Sequence, residues 1–175
     1  MSSDIQYKHI LVNAHVLSIG GEQENLRDFF EREDIKLAPV RSNPNTWYAK
    51  LDLDKAERFT EFAHTIDDPE HRSSPGLMLQ EGKEGVIGIC GGAEVVALAL
   101  VATVLDDSKG IELSFSFLHG QSGFEIPSLR VKIDEAVLFR LVTTAANKDR
   151  ADDENNPDRE NSIFVLIRTK LKSPT

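Results

Sequence analysis

The chain has little of the residues that usually announce a chemistry. One cysteine, Cys90, in 175 residues means that no disulfide can close within it, and the cysteine framework of a small secreted domain is missing. Base is not in excess either: 20 Lys and Arg stand against 29 Asp and Glu, a net charge of −9. Residues 1–83 carry 15 acids and 10 bases, and residues 84–175 carry 14 and 10. Neither half is therefore a basic module, and nucleic acid is not expected as a dominant partner. The uncharged apolar stretch Val95 to Leu105 is too short to span a bilayer as a helix. Met1-Ser2-Ser3-Asp4 lacks the basic-then-apolar pattern of a signal peptide. These absences lead to the expectation of a soluble, cytoplasmic protein with no membrane contact.

Metal and cofactor signatures are also missing. His9 and His15 share a strand face, but six residues at about 3.3 Å each separate them by ~20 Å, too far for one ion. The acidic stretch Asp152 to Asn156 lacks the alternate spacing and the glycine of a calcium loop. No cofactor and no metal are expected.

What is present is alternation. Ile10, Val12, Ala14 and Val16 alternate with His9, Leu11, Asn13 and His15, as in a strand with one buried face. Leu26, Phe29 and Phe30 recur at helical spacing behind the acids Glu22 and Glu24, which suit a helix N-terminus. Ile35 to Val40 reads as a short strand. Trp47, Ala49, Leu51 and Leu53 alternate in a longer one. Asp54 with Glu57 resembles a capping box, and Ala56, Phe59, Ala63 and Ile66 form the stripe of a second helix. Leu77 to Gln80 then completes the order strand, helix, strand, strand, helix, strand.

That order predicts an α+β, ferredoxin-like βαββαβ plait over residues 1–82. Residues 83–175 read as a second copy, with strands at Val86–Cys90, Ile111–Phe117, Leu129–Ile133 and Ile163–Leu171. Its helices are expected at Ala93–Leu105 and, behind Asp134, along Val137, Leu138, Leu141, Val142 and Ala145. A charged flexible loop is expected at 148–161. The run Ala93–Leu105 has the β-branched content of a strand and the alanines of a helix; as a strand, it would make the second half an antiparallel meander with one helix.

Two resemblances bear on function. Gly88-Ile89-Cys90-Gly91-Gly92 resembles the nucleophile elbow of class I glutamine amidotransferases, which implies a thiolate at Cys90 on a strand-to-helix turn; the family's His-Pro-Glu motif is missing, and His119, the one histidine after Cys90, is the candidate base, with Glu125 or Asp134 to orient it. The stretch from Tyr7 through Ile66, with Leu26-Arg27-Asp28-Phe29-Phe30-Glu31 as its first helix, is similar to an RNA-recognition motif. That similarity implies base stacking on a sheet face, for which Tyr48 is the aromatic. In the second half, Arg130, Lys132, Arg168 and Lys170 are expected to point outward beside Phe164, making a basic-aromatic binding surface.

No coherent catalytic set emerges from these residues. The leading expectation is a non-enzymatic binding or regulatory protein, inhibitor- or immunity-like, that meets a basic protein partner through its sheet faces. An open sheet edge also makes a homodimer compatible with the pattern. The alternatives are a cysteine-dependent hydrolase or amidotransferase-like enzyme built on Cys90, and binding of RNA or single-stranded nucleic acid through a sheet face.

Overall fold

A computed structural model describes residues 8–21, 24–67, 69, 71–91, 94–105, 109–145 and 159–172. The elements run in the order β1 (His9–Gly20), α1 (Glu24–Arg32), β2 (Ala38–Pro39), β3 (Thr46–Asp52), α2 (Leu53–Thr65), β4 (His71–Ser73), β5 (Gly76–Gln80), β6 (Glu84–Gly91), β7 (Glu94–Val104), β8 (Gly110–His119), β9 (Ser122–Lys132), β10 (Glu135–Ala145) and β11 (Arg159–Lys172).

Local rules account for the first elements. The even residues of β1, Ile10 to Val16, are buried. Glu24 lies in the first turn of α1, where a carboxylate meets the positive end of the helix dipole, and Leu26 and Phe29 are its buried face. The cap of α2 is Asp52, two residues before the expected Asp54: its Oδ1 accepts the Lys55 N–H at 2.7 Å.

Seven strands form one sheet in the order β2-β3-β10-β11-β1-β4, with β5 also paired to β1. Strands β6 to β9 form a second, antiparallel meander of four. A core between the two sheets is filled by β1 and β5, by β7, β8 and β9, and by Val137, Phe139, Leu141, Ile163, Val165 and Ile167. On the other face of the seven-stranded sheet, α1 and α2 cover Leu17, Ile19, Leu51, Leu138, Phe164 and Leu166. The result is three layers: helices, large sheet, small sheet. Phe29 stacks on Phe62 with centroids 4.4 Å apart, and Arg58 Nε donates to Glu33 Oε2 at 2.7 Å, tying α2 to the end of α1.

The ferredoxin-like expectation is corrected by this topology. A plait would close β1 directly on β3, whereas here β10 and β11 lie between them. Both segments expected as helices in the second half, Ala93–Leu105 and Val137–Ala145, form strands β7 and β10 over their described residues. The alternative of a plait followed by a meander with one helix fails too, because β10 and β11 return into the first sheet. Strands from both sides of the expected seam at Gly82–Gly85 therefore share one sheet. Of the loop expected at 148–161, residues 148–158, with the acidic stretch Asp152 to Asn156, lie outside the described residues, and 159–161 begin β11.

Candidate functional site: the outer face of the four-stranded sheet

In β7, Val96, Leu98, Leu100, Ala102 and Val104 are buried against the large sheet. Strand alternation then sends Val95, Ala97, Ala99 and Val101 to the opposite, outer face. Register builds rows across that face. Val86 lies opposite Ala99, Ala99 opposite Ser116, and Ser116 opposite Glu125; the next row is Gly88, Ala97, Leu118 and Gly123. The floor is thus Gly, Ala and Ser, framed by Val86, Val95 and Leu118, which are 60%, 50% and 45% exposed. An added Cβ at Gly88 would meet nothing within 4 Å, so the face is open there. At Gly123 it would run into the carbonyl oxygen of Phe117, so β8 and β9 approach more closely than any side chain allows.

The two edges of this sheet differ. Strand β6 ends the sheet on one side, with no proline and no lysine between Glu84 and Gly91. On the other side the loop before β3 reaches β9. Asn43 Nδ2 donates to the Glu125 carbonyl oxygen at 2.6 Å, and Asn43 Oδ1 accepts the Glu125 N–H at 3.1 Å. Two shallow hollows of about 520 and 540 Å³ flank this contact, both lined by Asn43, Ala99, Ser116 and Glu125.

The residues singled out in the sequence do not gather into one surface. Tyr48 is half-buried and stacks on Phe139, with centroids 6.2 Å apart. Phe164 is fully buried beneath the helices, its ring 5.9 Å from both Phe30 and Phe59. Arg130 and Lys132 are exposed on β9, with Arg130 Nε 3.7 Å from Glu112 Oε2. Arg168 and Lys170 lie on β11 in the other sheet, and Arg168 Nη2 donates to Thr60 Oγ1 at 3.0 Å. Cys90 belongs to an extended strand paired with Val95, and β7 follows it, so the strand-to-helix turn of the amidotransferase resemblance is not formed. His119 is buried at the end of β8, opposite Val96. Among the described residues no group of three or more His, Cys, Asp and Glu comes together as a metal site.

Away from this face, the His15 imidazole is perturbed. Burial lowers the pKa of His15, with further contributions from Arg168 and His64, and its Nδ1 lies 2.8 Å from Ser74 Oγ.

No known family profile and no curated protein matches the sequence. Several solved structures are similar over nearly the whole chain at 10% identity. The type II secretin GspD of enteropathogenic Escherichia coli matches 98% of this chain and 71% of its own, with a TM-score of 0.49. ExeD of Aeromonas hydrophila matches 98% and 50%, at 0.44. The Klebsiella pneumoniae type II secretion system outer membrane complex, with PulD, PulS and the PulC HR domain, matches 98% and 41%, at 0.44. At these scores the likeness assigns neither family nor activity.

It lends no support to several expectations. The expectations of a cytoplasmic inhibitor- or immunity-like protein, a cysteine hydrolase or a nucleic-acid binder have no counterpart in the names of these structures, a type II secretin, ExeD and a type II secretion system outer membrane complex. The cytoplasmic placement and the membrane-free partnership with a basic protein are withdrawn with those readings.

Proposed function

We propose that the chain is a structural subunit of a homo-oligomeric assembly, copies of it meeting through the outer face of the four-stranded sheet. The observation that carries this reading is the exposure of Val86, Val95 and Leu118 around a Gly, Ala and Ser floor, beside the edge of β6, which pairs with no other described strand than β7. An apolar sheet face rimmed by polar residues marks an interaction site. A floor of small residues lets a second sheet approach to the ordinary stacking distance of about 10 Å. Soluble proteins usually blunt a free edge with Lys, Pro or a bulge, and β6 has none of these.

The rim explains why the occupant is another copy of the chain. It carries both signs, Glu84, Glu112 and Glu125 against Arg130 and Lys132, so the same face can complement itself, whereas a strongly acidic or basic partner would meet like charge on part of it. The apolar centre with a charged border also has the layout of a protein interface. This reading rests on the face itself, not on the secretin likeness. Sedimentation velocity over a concentration series tests it, with charge introduced at Val86 and Leu118.

A further inference from the structure

The two edges of the small sheet are built differently, and the difference selects how copies of the chain can pair. Three devices guard β9. The Asn43 side chain takes both backbone groups of Glu125. Pro127 brings no N–H, and the register with β8 shifts between Leu113 and Phe115, a bulge that bends the strand away from regular pairing. A strand added to β9 from another copy would meet all three. Strand β6 is built without them: among the described residues it pairs with β7 alone, in one unbroken register from Glu84 to Gly91.

Strand β6 is also held in shape before any partner arrives. All 8 of its residues pair with β7, and its start packs directly on β5, since a Cβ added at Gly85 would run into the Leu77 and Leu79 side chains. An ordered edge loses little conformational freedom on pairing. Charge then sets the direction. Glu84 is exposed at the beginning of the strand, and parallel in-register pairing of two β6 strands would set both carboxylates on neighbouring strands about 5 Å apart. Antiparallel pairing centred on Ile87 or Gly88 separates them by at least about 20 Å, further than a Debye length in physiological salt. Its two-fold axis runs through the sheet, so Val86, Val95 and Leu118 of both copies face the same side.

We propose that face-stacked pairs of the chain join through antiparallel β6-to-β6 pairing into a closed assembly of four copies. The inference rests on the face reading for its stacked pairs and adds a second, separate contact. Head-to-tail joining of β6 to β9 is blocked by Asn43 and Pro127, so the edge pairs like with like, which closes on itself instead of growing into a filament. A few main-chain hydrogen bonds do not hold two chains together against the freedom lost on association. Between stacked pairs two such seams form at once, and the second is intramolecular.

Sedimentation velocity of the full chain, of Ile87→Pro and of Gly88→Pro tests the seam. Backbone N–H groups of a strand alternate between its two edges, so one of the two prolines removes only an outward donor and leaves the bonds to β7 intact. The circular dichroism spectrum and the urea midpoint identify which. The expected result is four copies for the parent at the top of the concentration series and two for the outward-proline variant. In the parent, hydrogen exchange at the outward amide of that pair should slow at least tenfold as the mass passes from two copies to four, and this readout carries the test if both prolines unfold the chain. A parent that stops at two copies, an outward-proline variant that reaches four, or an exchange rate that does not follow the mass would overturn the seam and leave the stacked pair standing. A parent of one copy at every concentration would overturn both.

Discussion

The side-chain amide of Asn43 makes with Glu125 the two-bond exchange that a neighbouring strand would make, donating to its carbonyl oxygen at 2.6 Å and accepting its N–H at 3.1 Å. A primary amide presents a donor and an acceptor side by side, as the N–H and C=O of one strand residue do, so one side chain occupies one pairing position of β9. The edge of β9 is therefore stopped at Glu125 while, among the described residues, no strand pairs with the outer edge of β6, so the two edges of the meander differ.

Replacing Asn43 with Ala should cost about 1–3 kcal/mol, from two hydrogen bonds at roughly 0.5–1.5 kcal/mol each. The same change should accelerate hydrogen exchange at the Glu125 amide while leaving Phe124 and Ile126 slow. Unchanged exchange at Glu125 would show that the contact does not hold in solution.

Phe164→Ala should destabilise the fold by about 3–5 kcal/mol in urea unfolding, because it empties a fully buried site between the helices and the sheet. Lys170→Ala, at an exposed position of the same strand, should stay within about 0.5 kcal/mol. Similar effects from the two changes would contradict the placement of Phe164 beneath α1 and α2.

Acid should weaken the fold through His15. Burial, Arg168 and His64 lower its pKa, so below about pH 6.5 the unfolded chain takes up a proton more readily than the folded one. The contribution is fully present above that pH and is lost as pH falls toward the folded-state value. In urea unfolding at pH 7.5 and 5, His15→Gln should lose less stability on acidification than the parent chain. Equal losses would assign the acid sensitivity to other groups.

How far the sequence foretells this fold depends on how each strand is buried. Strand β1 shows period two over Ile10–Val16 because only one face there is covered. Strand β10 does not: Ala136, Val137, Leu138 and Phe139 are all buried, since helices lie on one side and the small sheet on the other. A strand covered on both faces reads as a continuous apolar run, and Val137, Leu138, Leu141 and Val142 happen to fall at helical spacing. Strand β7 is hidden for a different reason. Its inner residues are Val, Leu and Ala, but its outer residues Val95, Ala97, Ala99 and Val101 are apolar as well, so nothing marks the alternation. The property that disguised β7 as a helix is the property that makes its outer face a candidate interface. Asn43 carried no signal at all, because a single Asn in the turn Arg41-Ser42-Asn43-Pro44-Asn45 reads only as turn chemistry, and its partner lies 82 positions away.

The mass of the chain in solution tests the assembly reading most directly. Sedimentation velocity of the parent chain and of the double variant Val86→Lys with Leu118→Lys should be run over the same concentration series. The account predicts a parent mass above one chain that rises with concentration, and a double variant that stays at one chain with an unchanged circular dichroism spectrum. A parent chain that remains a single copy throughout, or a double variant that assembles equally well, would contradict it.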